Sequence, residues 1–410
     1  MNAQAVEGRY EGSLREREIV DARLIRSGDG SRFLTLQITT ASGVRGLGDA
    51  TLAGWDGAVA ACLRDRMLPC LLGRDAGCIE ETWRCLRQDM PPCPGTVLMC
   101  ALAAIDVALW DIRGKMAALP LHRLLGGRAR HGVRVFAHAA GRDVAETSDQ
   151  VALRREQGFA AVAVECELPD MKRVRKAPPG STQAQPHDAT SQPSDGRVRQ
   201  YLDLVPELFD TLRHDHGNAL DVLHDMQERL WPMDALRLAR SIERYRPFWL
   251  GNATGVDNAD ALALIRAHGA APLAAGQGLG TPHDWRRLIE SRGVDFLRLS
   301  IADAGGITLL RHVADLAAMH GVRMALHSDA RQSPITHATT LQFNAWVPNF
   351  GIQAFVPHSG PDADVFRHEH QLRDGHLYVS NAPGHGVEMD GLPASKHSSS
   401  MTHGASAGLR

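Results

Sequence analysis

Side chains able to do chemistry close a series of short apolar runs beyond about residue 133 of this 410-residue chain. Glu165 ends AAVAVE, Asp225 ends ALDVLHD, Asn252 ends PFWLGN and Gln277 ends PLAAGQ. Ser300 and His327 sit near the ends of FLRLSI and VRMALHS, and Gln227 follows Asp225 by two residues. Carboxylates, an imidazole, amides and a hydroxyl suit acid–base work, oxygen ligation of a hard cation, or hydrogen bonding to a polyol. Two more runs, VRVFAH and NFGIQAF, bring the set to eight. Amphipathic helical stretches such as 231–245 and 308–320 lie between most of them. Eight strand-like runs with intervening helices are the signature of a (β/α) barrel, whose reactive groups stand at the carboxyl ends of its strands.

The elements that must position these groups read as follows. Residues 1–16 are expected to be flexible and 17–128 to form an α+β capping domain. Within it, 20–52 alternates apolar and polar residues around Gly and Asp turns, the pattern of an antiparallel sheet. From 56 to about 126 the period becomes helical, with a stripe at Leu98, Ala101, Leu102, Ile105, Ala108 and Leu109. The barrel is expected over 133–355, interrupted by a mobile insert at 172–199 that is rich in Pro, Ser, Gln and Gly. Residues 356–390 return to the capping domain, and 391–410 form a frayed tail.

Charge and composition exclude several classes. Lys plus Arg number 45 and Asp plus Glu 47, a net charge of −2, which gives no electrostatic footprint for nucleic acid or an anionic membrane. The longest apolar run, 101–110, is broken by Asp106, so no membrane span is expected. Six of the seven cysteines lie between Cys62 and Cys100 at spacings of seven or eight, without C-x-x-C. Reduced thiols acting as packed small residues, and a cytoplasmic address with no signal peptide, are the expectation.

The segment ALAAIDVALWDIRGKMAALPLHRLLGG (101–127) resembles the mandelate racemase and muconate-lactonizing group of the enolase superfamily. GLGDATL (46–52), LVPELFDTLR (204–213), DAGGIT (303–308), WVPNFGIQ (346–353) and PGHGV (383–387) narrow the likeness to the mannonate dehydratase-like branch. It runs from about 17 to 390. The resemblance implies an α+β cap on a modified (β/α)7β TIM-type barrel and a homo-oligomer. It also implies Mg²⁺-dependent chemistry: proton abstraction beside a carboxylate, then elimination of water from a sugar acid. Three strand-end carboxylates would hold the ion, which lowers the charge cost of the enediolate.

Against that pattern the strand ends depart in several places. Asp225 matches the first metal ligand, but Gly251 stands where the second carboxylate belongs and Gln277 where the third does. Gln227 replaces a catalytic His, Ala354 an active-site Glu, and Ser300 a Lys or Asp. The Tyr expected as base has no counterpart in the 172–199 insert. His327 matches the family's His on the seventh strand and is the surviving candidate for acid–base work. Glu165 shares a strand face with Ala161 and Ala163 and so either points into the mouth as a new catalytic carboxylate beside Asp225, or pairs with an Arg at the rim. Asp225 either keeps a metal role or caps the next helix.

The expectation is therefore a mannonate dehydratase-like protein in which Mg²⁺ chemistry is lost or severely impaired, with Asp225 and Gln277 as the remaining metal ligands. Gln227, Asn252 and Ser300 are expected to line its pocket for a sugar acid or polyol. Two alternatives stand beside it: an acid-sugar lyase or isomerase rewired around Glu165, Asp225 and His327, and a non-catalytic sugar-binding or assembly protein.

Overall fold

The computed structural model describes residues 15–26, 33–168, 195–328, 330–357, 365–389 and 400–401. The expectations for the first 14 residues, for most of the insert and for nearly all of the tail fall outside them. Residues 195–199, placed in the insert from sequence, instead begin the helix Asp195–His216.

Alternation over 20–52 produces β1 (Ile19–Arg26), β2 (Leu34–Thr40) and β3 (Arg45–Asp49), paired antiparallel in that order. The helix Gly95–Met116 lies on this sheet. Gly46 and Gly48 make the approach feasible: a Cβ on either would fall 2.1 Å from the Ala108 carbonyl oxygen or 1.9 Å from that of Ala104. By length and composition this 22-residue helix is apolar enough to cross a bilayer. It is instead a core helix, buried over most of its length, and Asp106 does not interrupt it.

The eight apolar runs become parallel strands: β4 (Val133–Gly141), β5 (Ala161–Cys166), β6 (Asp221–Asp225), β7 (Trp249–Gly251), β8 (Leu273–Ala275), β9 (Phe296–Leu297), β10 (Arg323–Met324) and β11 (Gln353–Ala354). Neighbours pair in chain order from β4 to β10. The barrel closes through β11 on β4 and a parallel bridge between Met324 and Phe350. Its interior is filled by Phe136, Ala161, Leu223, Trp249, Ala274, Phe296, Ala325 and Ile352, with the Trp249 and Phe296 rings 5.0 Å apart. Because side chains alternate across a strand, this layer fixes which residues face the mouth beyond it.

Two aspartates fasten the cap to the barrel, and a third ties it to the C-terminal return. Asp49 Oδ2 accepts from the Ser333 amide (2.7 Å) and the Thr336 hydroxyl (2.8 Å), at the start of the barrel helix Pro334–Trp346. Asp106 Oδ2 accepts from the Thr308 amide (3.1 Å), at the start of the helix Ile307–Met319. Asp111 binds the Leu47 amide (3.1 Å), Lys115 (2.9 Å) and the His385 amide (3.3 Å), tying the C-terminal return to the cap. Each occupies a helix N-terminus or a buried ion pair, where a carboxylate is favoured. Burial nevertheless pushes the Asp106 carboxyl up to about 7, against the hydrogen bonds from Thr308 and Ile307 and the charge of Arg311.

The cysteines differ from their expected role. Cys100 and Cys166 are buried, but Cys70, Cys78 and Cys93 are exposed, and all seven are free thiols. Spacing of seven or eight does not put them on one buried face because helical breaks at Leu63–Met67, Leu68–Cys70 and 89–94 reset the phase.

Candidate functional site

Strand parity carries the argument from core to mouth. Two residues beyond the interior layer the inward positions are His138 on β4, Asp225 on β6, Gly251 on β7, Arg298 after β9 and His327 after β10. Glu165 takes the same parity on β5, beyond Ala161 and Ala163.

Asp225 is the hub. Its Oδ1 accepts from the Gln227 amide (2.8 Å), the short i to i+2 link that Asp forms readily at a turn. Asn252 Nδ2 donates to both carboxylate oxygens at 3.0 Å, and Arg298 Nη1 donates to Oδ2 at 2.7 Å. Burial alone would raise its pKa. The Arg298 charge and the hydrogen bonds from Arg298, Gln227 and Asn252 outweigh it, holding the carboxyl down at about 2. The turn around the hub is unusual. Gln227 (φ 55°), Glu228 (φ 58°) and Asn252 (φ 45°) are all left-handed. Asn tolerates that region; Gln and Glu there cost about 1 kcal/mol or more each. The Asn252 Oδ1 atom is buried and has no hydrogen-bond partner among the described residues.

Glu165 joins the hub at one remove. Its Oε1 accepts from Gln227 Nε2 (2.7 Å) and from Arg229 Nη2 (3.2 Å), and Arg229 Nη2 also donates to Gln227 Oε1 (2.7 Å). Gln227 thus stands between the two carboxylates, giving its amide to one and its side chain to the other. Glu165 has the rim ion pair with Arg229 and no direct bond to Asp225.

Behind the hub, His224 Nδ1 donates to the Val164 carbonyl (3.0 Å), which leaves Nε2 to accept from the Tyr201 hydroxyl (2.7 Å). Burial lowers the His224 pKa and raises that of Tyr201, so both are neutral near pH 7. This pair braces the strand that carries Asp225.

The other candidates are carried by the later strand ends. Ser300 is buried, and its hydroxyl accepts from the Asp303 amide (3.0 Å) at the entry to the 301–305 turn. Gln277 lies beyond β8 in a turn, half-buried, with no hydrogen bond to Asp225. His327 is half-buried at the end of the extended segment after β10, its amide donating to the Leu299 carbonyl (3.1 Å). Asp225 therefore holds its place through side-chain pairing as well as by bonding the turn that follows it.

Two mouth residues were not singled out from the sequence. Arg298 lies in FLRLSI, and the alternation Phe296–Arg298–Ser300 was the available signal for it. His138 ends VRVFAH. Solvent reaches its ring, yet the surrounding protein crowds out the water that would solvate a charge. That crowding and the Arg298 charge lower its pKa against the pull of Asp225 and Glu165, leaving a neutral imidazole at pH 7.

The donor set does not fit the family's Mg²⁺. Among the described residues no three His, Cys, Asp or Glu are grouped to hold a metal. Asp225 already accepts at both oxygens, Gly251 offers no side-chain ligand and its carbonyl is taken by the Met226 amide, and Gln277 brings no charge. Mg²⁺ sheds its water reluctantly and needs anionic oxygens in octahedral array. What the mouth presents instead is a compensated ion-pair network with amides and the neutral imidazole of His138.

Comparison with known proteins is consistent along the chain. Residues 24–126 match the mandelate racemase / muconate lactonizing enzyme N-terminal domain, and 146–392 the enolase C-terminal domain-like family. A D-mannonate dehydratase of Xanthomonas oryzae pv. oryzicola is 45% identical over 389 residues, covering 94% of this chain and 93% of that one. A D-galactonate dehydratase family member, ManD, of Chromohalobacter salexigens is 40% identical, covering 93% and 95%. Among solved structures, an enolase of Pantoea ananatis with bound D-gluconate and Mg has a TM-score of 0.81 at 30% identity, covering 91% and 92%. The chain belongs to the mandelate racemase and muconate-lactonizing group of the enolase superfamily, in its mannonate dehydratase-like branch.

Proposed function

We propose that this protein descends from Mg²⁺-dependent sugar-acid dehydratases and retains a barrel mouth for a small sugar acid or polyol, while the metal-dependent elimination is lost or severely impaired. The observation that carries the reading is the strand-end set itself: Asp225 bonded at both oxygens, Gly251 in the second ligand position and Gln277 in the third. Stabilising an enediolate dianion needs concentrated positive charge at the reacting carboxylate, worth several kcal/mol. Here the nearest positive charge, Arg298, is already neutralised by Asp225. Ligand recognition would fall to hydrogen bonds, with the buried Asn252 Oδ1 as an available acceptor and His138 as a neutral imidazole.

The test is a turnover assay on a panel of hexonates, with millimolar Mg²⁺ and with chelator, reading formation of 2-keto-3-deoxy acids. Melting shifts with mannonate, gluconate and mannitol are read in parallel. The expected result is a ligand-dependent melting shift without metal-dependent turnover. Metal-dependent turnover that is abolished in Asp225→Asn would overturn the proposal. Turnover indifferent to chelator but lost in His327→Asn would favour the rewired lyase.

A further inference from the structure

We propose that a cavity between cap and barrel, sharing no residue with the mouth, binds a small zwitterion of the apolar α-amino acid type. The cavity measures about 400 Å³, within the range of small-molecule sites. Its cap side is formed by the residues that open the helix Ile79–Gln88 and by Trp110 and Arg113 of the helix Gly95–Met116. Arg311, from the barrel helix Ile307–Met319, completes it.

The charges on its wall differ in how they are satisfied. Arg311 Nη2 lies 3.4 Å from Glu80 Oε2, and its guanidinium carbon is 5.0 Å from the centre of the Trp110 ring, so that cation is answered. Arg17, beside Gly77, is answered by Asp75 at 3.5 Å. Arg113 and Glu81 are exposed and make no ion pair or side-chain hydrogen bond among the described residues, either with each other or with a third group. Arg113 Nη1 stands 3.6 Å from the position a Cβ would take on Gly77, which places the guanidinium near the entry to the helix Ile79–Gln88. One unanswered cation and one unanswered anion on a single wall select against a ligand of either single charge, because the group that attracts it is opposed by the other. A ligand with both charges meets both, its carboxylate on Arg113 and its ammonium on Glu81. Buried Ile79 and half-buried Trp110 supply the apolar wall for its body. Trp110 is held there by donating from Nε1 to the Thr308 hydroxyl at 3.0 Å, across the joint between cap and barrel.

The test uses the full-length protein with L-leucine as the probe. N-acetyl-L-leucine, which lacks the ammonium, and L-leucinamide, which lacks the carboxylate, are run beside it. Equilibrium dialysis measures binding and thermal melting follows it. Leucine should raise the melting temperature by about 1 °C or more at roughly ten times its Kd. Each singly charged analogue should bind about tenfold more weakly or worse. Arg113→Gln and Glu81→Gln should melt as wild type does, since neither side chain is paired, and each should weaken leucine binding about tenfold. Should a variant prove unstable, the comparison of analogues on wild type still decides. Three results would overturn the proposal: no leucine binding to wild type at millimolar concentration, an analogue bound as tightly as leucine, which marks a plain ion site, or leucine binding unchanged in either folded variant.

Discussion

Asp49→Ala offers the sharpest test of how the capping domain and barrel are joined. Asp49 ends β3, yet its Oδ2 accepts from the Ser333 amide at 2.7 Å and the Thr336 hydroxyl at 2.8 Å. Its Oδ1 accepts from the Thr51 amide at 3.0 Å. The helix Pro334–Trp346 receives no cap from its own Ser333 side chain, and its first residue is a proline without an N–H. The carboxylate of another domain therefore does the capping. Losing a cap costs about 1 kcal/mol. Leaving the Ser333 and Thr336 donors buried without partners costs about 1–3 kcal/mol each. Because neighbouring losses are not additive, a total of about 3–5 kcal/mol is expected. Asp49→Asn keeps an acceptor and should lose about 1 kcal/mol, the share owed to charge at a helix N-terminus. Urea unfolding followed by far-UV circular dichroism measures both, at constant m-value. A loss below about 1 kcal/mol in Asp49→Ala, or equal losses in the two variants, would refute capping across the domain boundary.

Other outcomes follow from the same structure. Asp106 is held near 7 in the folded chain against 3.8 in its ordinary state, so the native protein keeps a proton the unfolded chain gives up. Its contribution to stability is full below about pH 4 and is lost as pH rises through about 7, at up to about 1.4 kcal/mol per unit. Urea midpoints across that window should slope less in Asp106→Asn, and identical slopes would discard the assignment. Gly306→Ala combines a left-handed position (φ 110°) with a Cβ 2.3 Å from Asp106 Oδ2, and should cost about 2–4 kcal/mol in the same assay. Tyr201→Phe removes the 2.7 Å bond to His224 and should cost about 1–2 kcal/mol, with no loss if the pair does not brace β6.

Much of the barrel was legible because each strand is a short apolar run and most of their residues are buried. The eight runs became eight strands in order, and the GLGD and AAIDVALWD segments earned their pattern through close backbone approach and aspartate capping. The mouth was less legible. Asp225, Gln227, Asn252 and Glu165 were identifiable as strand-end polar residues, and the structure links all four by hydrogen bonds. Arg298 escaped because the sixth strand was read at Ser300, one alternation too late. β9 is only two residues long, so its parity is carried by the extended residues that follow it. Gln277, matched to a motif position in sequence, stands half-buried in the turn after a three-residue strand. Spatial proximity between Gly251 and Arg298 is invisible to any local pattern, since 47 residues separate them.

That proximity also sets what a side chain at position 251 would meet. A Cβ there would fall 2.9 Å from Arg298 Nη1 and 3.3 Å from Asp225 Cγ, so a longer side chain has to displace the guanidinium tip. The tip is the free end of a flexible arm and can move, and the cost is the bond it gives up to Asp225 Oδ2. Position 251 and Arg298 are therefore coupled across 47 residues of chain: a substitution at one is read through the charge pairing of the other.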